Sequence, residues 1–100
     1  ERFVNDMHRP AQNPGKVVFM REKSIEVKLV DAVKAAGGVC WKFTSPGTSG
    51  VPDRIVLMPP AESAFVEVKA SGEKLRPLQR LRIRTLRRLG FKAFVLDNPE

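Results

Sequence analysis

The segment Ala64-Phe65-Val66-Glu67-Val68-Lys69 limits what this chain can become more than any other. Side chains alternate between the two faces of a strand. Ala64, Val66 and Val68 therefore share one face, apolar and suited to a core. Phe65, Glu67 and Lys69 share the other. A carboxylate and an ammonium thus stand side by side at the strand's C-terminal end.

The rest of the chain supplies elements on both sides of that strand. Ile25, Leu29, Ala32, Val33 and Ala36 recur at helical spacing and mark one face of an amphipathic helix, which Gly37-Gly38 ends. Val39–Phe43 is rich in strand formers, and Thr44–Gly50 is a loop by composition. Arg54–Met58 reads as a second strand, closed by Pro59-Pro60, and the short gap to Ala64–Lys69 predicts a hairpin. Pro77 suits the first turn of a second helix. Leu78, Leu81, Thr85, Leu86 and Leu89 form its expected buried stripe, and Gly90 its end. Phe91–Leu96 is a last strand. The order is α-β-β-β-α-β, an α/β fold without internal repeat, in a 100-residue chain that suits one compact domain. Residues 1–20 show no clear period and read as an N-terminal arm or extension, with a short strand at Lys16–Met20. Residues 21–100 read as the folded domain.

Several function classes are set aside early. No apolar run approaches the roughly 20 residues of a membrane-spanning helix, and residues 1–20 lack the apolar stretch of a signal peptide. A soluble, cytoplasmic protein with no membrane partner is expected. Cys40 is the only cysteine and His8 the only histidine, so a four-ligand zinc finger is excluded. Any metal must be held mainly by oxygen, which points to Mg2+ or Mn2+. The formal charge of +7 and pI near 10.2 favour a polyanionic partner, most simply nucleic acid.

If the second and third strands pair as a hairpin, Asp53 at the start of one meets Glu67 and Lys69 at the end of the other. Two carboxylates can hold hard divalent cations, which polarise a phosphate and lower the pKa of water. A neighbouring lysine can orient or deprotonate that water and stabilise developing negative charge. The Val68 carbonyl is a further oxygen donor. Glu22 and Glu26, at i and i+4 on the first helix, offer another, directly or through a water. Alone, Glu67-Val68-Lys69 is a common surface pattern and Pro52-Asp53 a common turn. Together, 14 residues apart by count on adjacent predicted strands after an acidic helix, they are far more specific.

This arrangement resembles the PD-(D/E)XK nuclease superfamily, whose restriction-endonuclease-like αβββαβ core is a central mixed sheet flanked by helices. It is more similar to the stand-alone VRR-NUC (virus-type replication-repair nuclease) domains of phages and bacteria. The likeness is carried by Arg21–Glu26, Lys42–Gly47, Gly50-Val51-Pro52-Asp53-Arg54, Phe65-Val66-Glu67-Val68-Lys69 and Pro77-Leu78-Gln79, and it spans residues 21 to about 97. It implies metal binding by Asp53, Glu67 and the Val68 carbonyl, and a catalytic Lys69. It also implies support from Glu22 or Glu26, and a glutamine, Gln79, near the site. Stand-alone members resemble Holliday-junction resolvases and tend to be homodimers.

DNA contacts are expected on two segments. Lys74–Leu96 carries no acidic residue, and Lys74, Arg76, Arg80, Arg84, Arg87 and Arg88 belong to its basic stripe. Solvated faces usually mix signs. Such contacts position DNA without reading its sequence. The loop residues Ser45, Thr48 and Ser49 are the other candidates. Trp41, within a predicted strand, is expected in the core rather than as a base-stacking platform. Cys40 is expected to be a small buried residue, not a nucleophile. The reading is a divalent-metal-dependent, structure-selective DNA endonuclease, resolvase-like on branched DNA. A flap or nicking endonuclease, or a basic DNA-binding module without chemistry, are the alternatives.

Overall fold

The computed structural model describes residues 20–97. They form α1 (Glu22–Ala35), β1 (Val39–Lys42), β2 (Arg54–Met58), β3 (Glu62–Val68), α2 (Pro77–Arg88) and β4 (Ala93–Leu96). The four strands make one mixed sheet in the order β1-β2-β3-β4. β1, β2 and β3 pair antiparallel, while β4 runs parallel to β3 and so needs the α2 crossover. The expected αβββαβ core is therefore present. Of the anticipated Lys16–Met20 strand, residues 16–19 lie outside the described residues. Met20 exchanges two hydrogen bonds with Ser71: its N–H donates to Ser71 Oγ and its carbonyl accepts from Ser71 N–H, each 2.9 Å.

The alternation in β3 partitions the sheet as expected. Ala64, Val66 and Val68 join Val56, Met58 and Leu96 in a cluster sealed by Ile25, Leu29 and Val33 of α1. Those three residues are the i, i+4, i+8 stripe of the helix, and burying each removes about 2 kcal/mol worth of apolar surface from water. Gly37, at φ +90°, turns the chain out of α1. Gly38 then lies so close to Met58 and the Leu57 carbonyl that no side chain fits. The opposite face carries a row of aromatic edges: Phe65 meets Phe43 at 5.4 Å and Phe91 at 6.1 Å between ring centres.

Three expectations about burial fail. Ala32 and Ala36, read with Ile25, Leu29 and Val33 as one face of α1, are exposed. Leu81 and Leu89, from the expected buried stripe of α2, are 46% and 63% exposed, and Leu78 is exposed as well. The helix instead turns inward the face holding Gln79, Arg82, Ile83 and Leu86, with Ile83 alone fully buried. These positions follow i, i+3, i+4 and i+7, so the period was right and its phase was wrong. The rotation is set by polar anchors: Gln79 reaches Glu67, and Arg82 Nε–H donates to the Ser49 carbonyl at 2.8 Å. Trp41 is 58% exposed rather than core. It lies on β1, which among the described residues is an edge strand with a neighbour on one side only. Cys40, on the opposite side of the same strand, packs against the core.

Candidate active site

Register brings the expected residues to one end of the sheet. Arg54 pairs with Val66, so Asp53, one residue earlier, falls beside the last residues of β3. Asp53 Oδ1 accepts a hydrogen bond from Val68 N–H at 3.1 Å. That bond ties the hairpin's open end and places one carboxylate beside Glu67 and Lys69. Both of these are buried, at 4% and 7% exposure.

Glu67 is held from α2. Gln79 Nε2–H donates to Glu67 Oε2 at 3.2 Å, and Gln79 Oε1 accepts from Arg76 N–H at 2.9 Å. Each end of the Gln79 amide thus has its own partner, so the group cannot flip without losing both. The Arg76–Gln79 bond satisfies one of the N–H groups left open at the helix start. Glu67 Oε1 is buried without a well-formed hydrogen bond among the described residues.

The electrostatics follow from this crowding. Burial, then the nearby Asp53 carboxylate, pushes Glu67 from 4.5 up to about 7. Lys69, with its opposite charge, acts in the other direction and does not cancel them. Burial also raises Asp53, with the Val68 N–H opposing and the charge of Glu22 adding to the rise. Two carboxylates that resist ionising together, one with an orphaned oxygen, form a site short of positive charge.

The donor set fits a hard divalent cation. Every donor is oxygen, and the Glu67 oxygen without a hydrogen bond could serve as a ligand. Among the described residues no three acidic, histidine or cysteine side chains converge closely enough to hold a metal by themselves. The Val68 carbonyl and waters must complete such a shell, as magnesium, which keeps much of its hydration, readily permits.

The two helix acids separate. Glu26 is engaged by cations on both oxygens: Oε1 by Lys23 at 3.2 Å and Oε2 by Arg54 at 3.3 Å. Burial alone would raise its pKa, but Lys23 and Arg54 outweigh burial and hold it below 4.5. Glu22, at the start of α1, bears by its charge on both Asp53 and Glu67, whereas Glu26, of those two, bears on Asp53 alone and more weakly than Glu22 does.

Of the expected DNA contacts, Lys74, Arg76, Arg80, Arg84, Arg87 and Arg88 are exposed. Arg87 also serves the fold, since its Nε–H donates to the Ala93 carbonyl at 2.8 Å. In the loop, Thr48 N–H closes a turn on the Ser45 carbonyl at 3.0 Å, and the Ser49 carbonyl takes Arg82. The residue that sequence reasoning missed is Arg54. A signal was there: alternation along β2 places Arg54 on the same face as Val56 and Met58, a core position for a guanidinium. A buried cation demands an acidic partner.

Comparison with known proteins agrees with this fold. The profile described as the VRR-NUC domain matches residues 6–98, so the match begins earlier than the resemblance read from residue 21. A protein of Acyrthosiphon pisum secondary endosymbiont phage 1, named "Putative nuclease p44", is 47% identical over 82 residues, covering 82% of this chain and 88% of its own. A solved structure described as a VRR_NUC domain superposes with a TM-score of 0.75 at 31% identity, covering 77% of this chain and 84% of that one.

Proposed function

The chain belongs to the VRR-NUC domain family, and on that premise we propose that it is a divalent-metal-dependent, structure-selective DNA endonuclease centred on Asp53, Glu67 and Lys69. The observation that carries this reading is the buried Glu67–Lys69 pair beside an Asp53 carboxylate pinned to the Val68 N–H. Simple DNA binding has no use for carboxylates that repel phosphate.

Asp53, Glu67 and the Val68 carbonyl would hold Mg2+ or Mn2+, with Glu22 contributing through a water. Bound there, the cation would polarise the scissile phosphate and acidify water. The protein's own part is orientation and charge. Gln79 holds Glu67 in place. Lys69 directs a water at phosphorus and offsets the negative charge that builds as the P–O ester bond breaks and the leaving oxygen takes up a proton. Arg80, Arg84 and Arg88 project from α2 and would clamp phosphates on either side of the cut.

Branched DNA, a four-way junction above all, is the substrate class we assign, cut by a homodimer whose two-fold axis presents two centres to two symmetry-related strands. The exposed Leu78, Leu81, Leu89 and Phe91 support such a partner surface, since a free monomer gains nothing by wetting them. The test uses a labelled immobile four-way junction, a 5′ flap and plain duplex, each with magnesium, manganese or EDTA, alongside Lys69→Ala. Metal-dependent junction cutting lost in Lys69→Ala is expected. Cutting of flap or duplex alone removes the junction assignment. No cutting of any substrate, with binding indifferent to EDTA, removes the enzyme. Sedimentation of the protein as a strict monomer removes the dimer.

A further inference from the structure

Arg54 follows Asp53 directly, and the chemistry above leaves it unused. Its side chain sits on the α1 face of β2, between the helix and the edge strand. Nη2 meets Glu26 of α1 at 3.3 Å, and Nη1–H donates to the Cys40 carbonyl of β1 at 3.3 Å. One guanidinium thus ties α1 and β1 to the β2 residue that carries the Asp53 backbone. Its planar fork makes both contacts at once, which a lysine's single ammonium does not reproduce. The ion pair is mostly buried, with the two side chains 11% and 17% exposed, so solvent screens it little.

We propose that the Glu26–Arg54 pair is a positioning latch that fixes α1 against β2, so that Glu22 rather than Glu26 faces the carboxylate centre. The inference deepens the metal-centre reading and rests on it. Glu22 and Glu26 lie one helical turn apart on the same side of α1. A helix free to slide or roll would present either to the centre. Arg54 removes that freedom by claiming Glu26, whose other oxygen Lys23 holds. Both Glu26 and Arg54 are therefore positioning residues, and neither touches substrate or metal.

The test is calorimetric titration of magnesium and manganese into the full chain without DNA. The variants are Glu22→Gln, Glu26→Gln, Arg54→Met, the double variant Glu26→Gln with Arg54→Met, and Arg54→Lys. A latch acts as a unit. Glu26→Gln, Arg54→Met and the double variant should each weaken metal binding by a similar factor, about tenfold as for other groups one step removed from a metal. Arg54→Lys should recover part of that loss. Glu22→Gln should weaken binding further when added to the double variant. If Arg54→Met fails to fold because Glu26 loses its buried partner, the double variant, neutral on both sides, carries the comparison. The proposal is overturned if Glu26→Gln loses metal while the double variant's Arg54→Met change adds back affinity, which would make Glu26 the ligand and Arg54 its competitor. It is equally overturned if the pair variants bind metal as the natural chain does. A natural chain that takes up neither metal instead sinks the metal-centre reading on which the latch depends, a result distinct from both.

Discussion

Replacing Glu67 by glutamine should make the metal-free protein more stable while silencing it. Glu67 is 4% exposed, and burial with the adjacent Asp53 charge raises its pKa from 4.5 to about 7. The folded state therefore keeps this proton to higher pH than the unfolded chain does. As pH climbs from about 4.5, the unfolded chain ionises first and gains stability relative to the fold. The penalty stops growing above about 7, where both states are ionised. Each pKa unit corresponds to about 1.4 kcal/mol. The penalty carried by the natural chain is then about 3 kcal/mol at pH 8 and about 1 kcal/mol at pH 5. Glutamine ionises in neither state and keeps an oxygen to accept from Gln79. In a domain of this size about 1 kcal/mol moves Tm by about 4–8 °C, so Glu67→Gln should melt about 10 °C or more higher at pH 8 and about a third as much higher at pH 5. The assay is thermal denaturation followed by circular dichroism in EDTA at both pH values. If Glu67 is a metal ligand as proposed, excess magnesium at pH 8 should then stabilise the natural chain more than the variant. A variant no more stable than the natural chain at pH 8, or one whose gain is the same at both pH values, would refute the account of Glu67 as a strained, metal-seeking carboxylate.

Gln79→Glu retains an acceptor for the Arg76 N–H but sets a second carboxylate against Glu67. Its cleavage should fall, and the pH profile of kcat/KM should move to higher pH. Arg80, Arg84 and Arg88 changed together to alanine should weaken binding to every DNA shape alike. The slope of log affinity against log salt should shrink by about 3, at close to one unit for each phosphate no longer neutralised, as read from fluorescence anisotropy in EDTA. Gly38→Ala places a methyl against Met58 and the Leu57 carbonyl, and should lower stability by about 1–3 kcal/mol in urea titration without changing the active site. A Gly38→Ala protein with an unchanged urea midpoint would show that the α1–β1 turn is looser than the packing indicates.

Local pattern was enough for much of this protein. The alternation of Ala64–Lys69 separated core face from chemical face before any tertiary neighbour was known, because strand period depends only on the backbone. For α1 the helical spacing identified Ile25, Leu29 and Val33 as buried, although Ala32 and Ala36 of the same expected face are exposed. Asp53, Glu67 and Lys69 could be brought together on paper because a short hairpin leaves little choice of register. What local pattern did not determine is how elements face partners distant in sequence. Leucine spacing in α2 gave the right period, but Gln79 on Glu67 and Arg82 on Ser49 chose the phase, and those hydrogen bonds span 12 and 33 residues. Trp41 was expected in the core because it lies within a strand, and only the sheet order shows that β1 has no outer neighbour among the described residues. Glu22 and Glu26 were equivalent in sequence, one turn apart on one face. Only the fold shows that Glu26 pairs with a guanidinium 28 residues further on, because a charge buried by the packing of α1 on the sheet must find its counter-ion within that packing.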